Sequence, residues 1–332
     1  MRIALACLAL AVAAPAYAQS GPGFDCAKPS SEVELAVCAT PELTSLHAKM
    51  AAAYAALAGK LSGPARDHLA KEQQRLVAYL NESCVGSRDE VVGCLRDNYQ
   101  ARLNNLRIFG EGVYPFVSTQ YLNKKGKVGK ISYTIDASWP RFDGTSADFS
   151  EINRRYAERA NKAAGDVIPK DTSAGDLRGE QDWSYDQSFE LQRPSGSAVA
   201  VAVNFDGFAG GAHGFAGTDA QLVDLRTGRA AGPAEVFGSG DHWLDVLVPL
   251  VRADLKKQFS DDKPGFDDAI EPAKLAKLLR EPGHYLWRRD SLQLIFNAYV
   301  VGPYVSGQFT VDIPYATLKP LFAAGGPMGD RR

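Results

Sequence analysis

Five histidines occur in the 332 residues, at His47, His68, His213, His242 and His284, and no two of them stand at a metal-holding spacing. The chain has no Gly-x-Ser-x-Gly elbow, no His-Glu-x-x-His pair and no Walker loop, so acyl transfer, zinc proteolysis and nucleotide hydrolysis lack their usual groups. Asp261-Asp262 and Asp267-Asp268 are carboxylate pairs, but adjacent like charges read as a solvated loop before they read as a glycosidase site. No catalytic residue, metal site or cofactor is expected. The chain reads as a binding protein, not an enzyme.

Two segments have the residue types of a binding surface. Gly207-Phe208-Ala209-Gly210-Gly211-Ala212-His213-Gly214 carries four glycines in eight residues, which permits positive φ and lets a loop present amides and an imidazole. The same spacing also fits a tight turn or bulge that buries His213 in a hydrogen bond. Phe296-Asn297-Ala298-Tyr299-Val300-Val301-Gly302-Pro303-Tyr304-Val305-Ser306-Gly307 combines aromatic rings with a proline and glycines. Such a loop offers either rigid, low-entropy anchors or tyrosines that cap a core.

The elements that must position these loops follow from periodicity. Leu43, Leu46, Met50, Tyr54, Leu57 and Leu61 recur by threes and fours between Pro41 and Leu61, as on one helical face. Gly63-Pro64 breaks that run. A second helical pattern carries Leu69, Leu76, Val77 and Leu80, and a third runs from Asp89 to Arg107. Short connections favour a small antiparallel bundle. The glycines between Ile108 and Val113 mark a boundary, after which the period changes. Ile131 to Asp136 alternates as a strand, and Ser150 to Ile168 returns to helical spacing. Strands follow at Phe189 to Arg193 and Ala198 to Phe205 around the turn Pro194-Ser195-Gly196-Ser197, then at Ala220 to Leu225, Ser291 to Tyr299 and Gln308 to Ile313. Helices are expected at His242 to Phe259 and Ala273 to Leu279. The fold class is α+β: a helical bundle over residues 19–107, then an α+β domain with an antiparallel sheet over residues 113–323.

Residues 1–18 have a charge at Arg2, an apolar run from Ile3 to Val12 and the small-x-small ending Ala16-Tyr17-Ala18, the pattern of a signal peptide cleaved near Ala18. No later stretch has the roughly 18 consecutive apolar residues of a membrane helix, and a periplasmic or secreted location is expected. Cys26, Cys38, Cys84 and Cys94 then remain, an even number suited to disulfides in an oxidising compartment. Of three pairings, the two local ones, Cys26 with Cys38 and Cys84 with Cys94, are favoured because each closes a short loop at a helix edge. Neither pair has the spacing of a zinc knuckle. A net charge of -2 lacks the clustered basic surface a nucleic-acid partner requires.

Several motifs resemble known families. Phe24-Asp25-Cys26-Ala27-Lys28, Glu34-Leu35-Ala36-Val37-Cys38-Ala39 with Pro41-Glu42-Leu43, Tyr54, the Cys84 and Cys94 pair and Tyr99 to Leu106 resemble the LprI-type lysozyme-inhibitor domain. The tryptophan that family places after its second-helix glutamine is absent from Gln73-Gln74-Arg75-Leu76-Val77. Gly210-Gly211-Ala212-His213-Gly214, Asp224-Leu225-Arg226-Thr227-Gly228 and Phe296 to Gly307 leading into Val311-Asp312-Ile313-Pro314-Tyr315 resemble the RsiV-type lysozyme-binding domain. Here Ala209 separates the loop's aromatic, Phe208, from the double glycine. The resemblance implies a lysozyme partner, with Gly210, Gly211, Ala212, His213, Gly214, Tyr299, Pro303, Tyr304 and Ser306 at the contact, and inhibition by occlusion of the lysozyme cleft. The alternative is a peptidoglycan-binding or envelope-stress-sensing module using Tyr304, Tyr299 and Trp287 as sugar platforms.

Overall fold

The computed structural model describes residues 26–61, 63–110, 115–144, 147–170 and 181–332. The expected signal peptide lies outside them. The chain divides into two compact units on either side of the Gly112–Val113 junction.

The first unit is helical: α1 Glu32–Cys38, α2 Pro41–Lys60, α3 Gly63–Ser83 and α4 Arg88–Gly110. Ser31 starts α1, its Oγ accepting from the Glu34 amide at 3.2 Å. Pro41 opens α2 at a position whose N–H would have no helical partner anyway. Most of the periodic residues face inward, with Leu43, Met50, Leu69, Leu95 and Leu106 fully buried, but Val77 of the second pattern lies on the exposed face of α3. Disulfides join Cys26 to Cys38 and Cys84 to Cys94, each with Cα atoms 5.5 Å apart, so the two local pairings are the ones formed. One polar group crosses the core between α3 and α4. Arg102 is buried and donates to Glu72 at 2.7 Å and to Gln73 at 3.2 Å.

The second unit has two sheets among its described residues. The larger runs in chain order: β1 Phe116–Val128, β2 Ile131–Asp143, β3 Gln181–Ser195, β4 Ala198–Phe208, β5 Phe215–Asp224 and β6 Arg229–Ala231. All its neighbours are antiparallel except β2 and β3, which run parallel. A parallel pair needs a crossover, and α5 Ser150–Val167 supplies it. The amphipathic face of α5 buries Ala164 and Val167 against Ile135, Ala137 and Tyr185. On the opposite face, Ala198, Ala200 and Ala202 of β4 join the larger core. Small side chains there let the second layer approach closely. That layer comprises α6 Pro233–Phe237, α7 Leu244–Gln258, α8 Pro272–Leu278, the three-stranded sheet of β7 Tyr285–Trp287, β8 Ser291–Phe296 and β9 Phe309–Pro314, and the short α9 Tyr315–Leu318. Phe237, Trp287 and Phe322 form its aromatic centre.

The structure departs from the expected elements in identifiable places. β1 carries only three buried residues at its start and then a lysine-rich exposed edge, so its sequence shows no alternation. Strand β8 ends at Phe296 rather than at Tyr299, because Tyr299 adopts φ 71°, which no strand continues through.

Candidate functional site

The glycine-rich segment is the tip of the β4–β5 hairpin. Gly207 pairs with Phe215, and residues 209–214 turn between them. Gly210 and Gly211 sit at φ 82° and 89°, a region that disfavours side chains, and a Cβ on Gly210 would meet the Trp183 ring at 3.0 Å. The strands thus force the loop outward and leave Gly211, Ala212 and His213 exposed.

The aromatic segment is the β8–β9 connection, closed at its base by the Phe296 and Phe309 pair. Asn297 ties it to β5. Its Oδ1 accepts from the Thr218 amide at 2.9 Å, and its Nδ2 donates to the Thr218 carbonyl at 3.0 Å. The Gln308 side chain donates to the same Asn297 oxygen at 2.9 Å, bridging the two ends of the loop. Tyr299 donates its amide to Gly302 O at 2.9 Å, which holds the backbone in the left-handed region. Pro303 leads into a single 3-10 turn, Tyr304–Ser306. Ser306 is buried and donates its hydroxyl to Pro264 O at 2.6 Å. It fixes the loop from below and offers no surface.

These anchors bring the two loops together. The His213 ring stacks on Tyr304 with centroids 3.8 Å apart and planes 20° from parallel. His213 Nδ1 lies 2.6 Å from Gly214 O, and since a carbonyl only accepts, that nitrogen carries the hydrogen. In the neutral ring Nε2 is then an acceptor, and the Tyr299 hydroxyl, 3.3 Å away, donates to it. Tyr299 and Tyr304 complete the group at 6.0 Å. The cluster faces solvent: Tyr299 is 59% exposed, Tyr304 37% and the adjoining Val305 78%. A strained, non-glycine residue and three exposed rings cost stability unless something binds them.

The arrangement suits recognition better than proton transfer, because both His213 nitrogens are occupied by neighbours within the cluster. His213 is therefore exposed and not buried in a turn, and the tyrosines project and do not cap the core. Trp287, by contrast, is 2% exposed inside the aromatic core, so it has no face to offer a sugar. His284 is also internal. Its Nδ1 faces Ile295 O at 2.8 Å, and burial holds its pKa below the ordinary histidine value. Among the described residues no group of His, Cys, Asp or Glu is placed to hold a metal ion, and no helix is long and apolar enough to cross a membrane.

Comparison with known proteins bears on both units. Residues 26–106 match the family described as lysozyme inhibitor LprI. Residues 234–316 match a family described as a protein of unknown function, DUF3298. The chain joins an LprI segment to a DUF3298 segment. The DUF3298 match takes in Tyr299, Pro303 and Tyr304 but not the loop of His213. Two solved structures of DUF3298 family proteins are similar to the chain at 16% identity and a TM-score of 0.42. One, from Bacteroides fragilis, aligns over 67% of this chain and 99% of its own; the other, from Pseudomonas aeruginosa, over 64% and 98%. No curated protein matches. The two disulfides and the LprI match accord with an extracytoplasmic location.

Proposed function

We propose that the chain is an exported lysozyme-binding inhibitor whose His213, Tyr299 and Tyr304 projection enters the lysozyme cleft and excludes substrate. The observation that carries this reading is the exposed stack of His213 on Tyr304, built by two loops distant in sequence and braced from Thr218 and Pro264. The partner comes from the LprI match of the helical unit. A lysozyme cleft works through two carboxyl groups, which are natural acceptors for the Tyr304 hydroxyl and loop amides, while His213 stiffens the Tyr304 ring by stacking on it. Stiff aromatic anchors lose little entropy on binding, and no covalent step is required. Cleavage near Ala18 releases the mature protein outside the cytoplasm.

Titration calorimetry of the His213→Ala and Tyr304→Ala variants against a hen-type lysozyme tests the surface. Each substitution should weaken binding by roughly 1–4 kcal/mol, as truncation of an interface anchor does. Unchanged affinity in both variants removes the proposed contact.

A further inference from the structure

Beside the aromatic cluster lies an open groove of about 450 Å³ between the sheet and the β8–β9 loop. Tyr304 and Val305 form one wall, and Asn204, Asp206, Thr218 and Gln308 contribute polar groups. Its position follows from the alternation of β4. Ala198, Ala200 and Ala202 are buried under the second layer, and the same face emerges into solvent at Asn204 and Asp206.

Register extends the negative charge across the sheet. Asp206 is paired with Asp186 on β3, and Asp186 with Asp136 on β2, so three carboxylates stand side by side on the face turned away from α5. Like charges directly opposite on adjacent strands destabilise a sheet. Burial, then Asp206 and Asp136, push the Asp186 carboxyl above its ordinary pKa. Asn123 donates to Asp136 at 2.7 Å. Among the described residues no lysine, arginine or histidine forms an ion pair with Asp186 or Asp206, although α5, on the sheet's other face, is laced with such pairs.

We propose that this groove receives lysine or arginine side chains of a basic protein partner, the cation lodging between the Asp206 carboxylate and the Tyr304 ring. The partner supplies the missing countercharge, Asp186 and Asp136 extend the attractive field, and Tyr304 adds a cation–π contact. The inference deepens the lysozyme reading and rests on it for the identity of the partner. Tyr304 then serves two neighbours at once: one face holds His213 and the rest lines the groove.

The test is the Asp186→Asn/Asp206→Asn double variant of the full chain, titrated with hen-type lysozyme and separately with a tetra-arginine peptide. Removing like charges should leave the melting temperature unchanged or higher, which guards against misfolding as the cause of any loss. Lysozyme affinity should fall about 10-fold or more in low salt, with the gap to wild type shrinking near 0.5 M salt because exposed charges are screened. Equal affinity and equal salt dependence for wild type and variant overturn the groove while leaving the lysozyme reading intact. If wild type does not bind lysozyme, that reading fails. The groove is then judged by the peptide alone: Asp-dependent binding supports it and no binding overturns it. Salt-insensitive binding of chitohexaose that competes with the peptide would also overturn it, in favour of a glycan.

Discussion

The helical unit and the β-rich unit solve the problem of stability differently, and the difference separates partner from site. The first unit has two disulfides and a buried ion pair around a modest core, as a bundle of this size needs. The second has no disulfide and relies on a large aromatic and aliphatic core centred on Trp287. That reserve supports an expensive surface: a left-handed Tyr299, exposed rings and a row of aligned aspartates. The unit that matches a lysozyme-inhibitor family shows no comparably strained, ring-bearing projection among its described residues. The unit with the projection matches a family of unknown function.

All four tryptophans, Trp139, Trp183, Trp243 and Trp287, lie in the second unit, so their fluorescence follows its unfolding alone. Arg102→Met should have the largest effect on the first unit, about 3–5 kcal/mol, because it breaks a buried ion pair by removing the guanidinium that donates to Glu72 and Gln73. The double change with Glu72→Leu should recover most of the loss. Urea titration read by helical circular dichroism checks both, and a matching shift in tryptophan fluorescence would contradict the separation of the units. Reducing the disulfides should cost the first unit roughly 2–4 kcal/mol per bridge, again without moving the fluorescence transition.

The bundle was legible in the sequence because its signals are local. Periodic leucines, Gly63-Pro64 and close cysteine spacings each act within one or two turns of chain. In the second unit the two candidate loops were also visible as glycine-rich and aromatic segments, but not their meeting. That depends on Asn297 clasping Thr218, a contact across 79 residues. The aspartate row was hidden for the same reason. Asp136, Asp186 and Asp206 are unremarkable singly, and only strand register aligns them. β7 was missed because all three of its residues are buried, leaving no alternation to read. The parallel β2–β3 pair departs from the expected antiparallel sheet, and its signal was present in the sequence as a helix, Ser150 to Ile168, between two strands, the order of a crossover.

Smaller effects sharpen the contrast between strain and function. Tyr299→Gly should stabilise the second unit by about 1 kcal/mol by relieving the left-handed backbone, yet weaken lysozyme binding; calorimetric melting paired with titration reads both. A residue that merely caps the core would show loss in both. The pH dependence is smaller still. Burial lowers the pKa of His47 in the first unit and His284 in the second, so the unfolded chain takes up protons first as pH falls. Both units should therefore lose stability below about pH 6.5, the ordinary histidine value, and His284→Gln should flatten that slope in tryptophan-monitored melts only. Asp186 has the opposite sign. Its raised pKa means stability is lost as pH climbs through the carboxylate range, and Asp186→Asn should remove that decline.

Hydrogen exchange on the full chain, with and without saturating hen-type lysozyme, tests most directly where the partner sits. Contact through the aromatic projection should slow exchange at residues 209–214 and 297–308. Protection confined to residues 26–106, or none at any position, would contradict it.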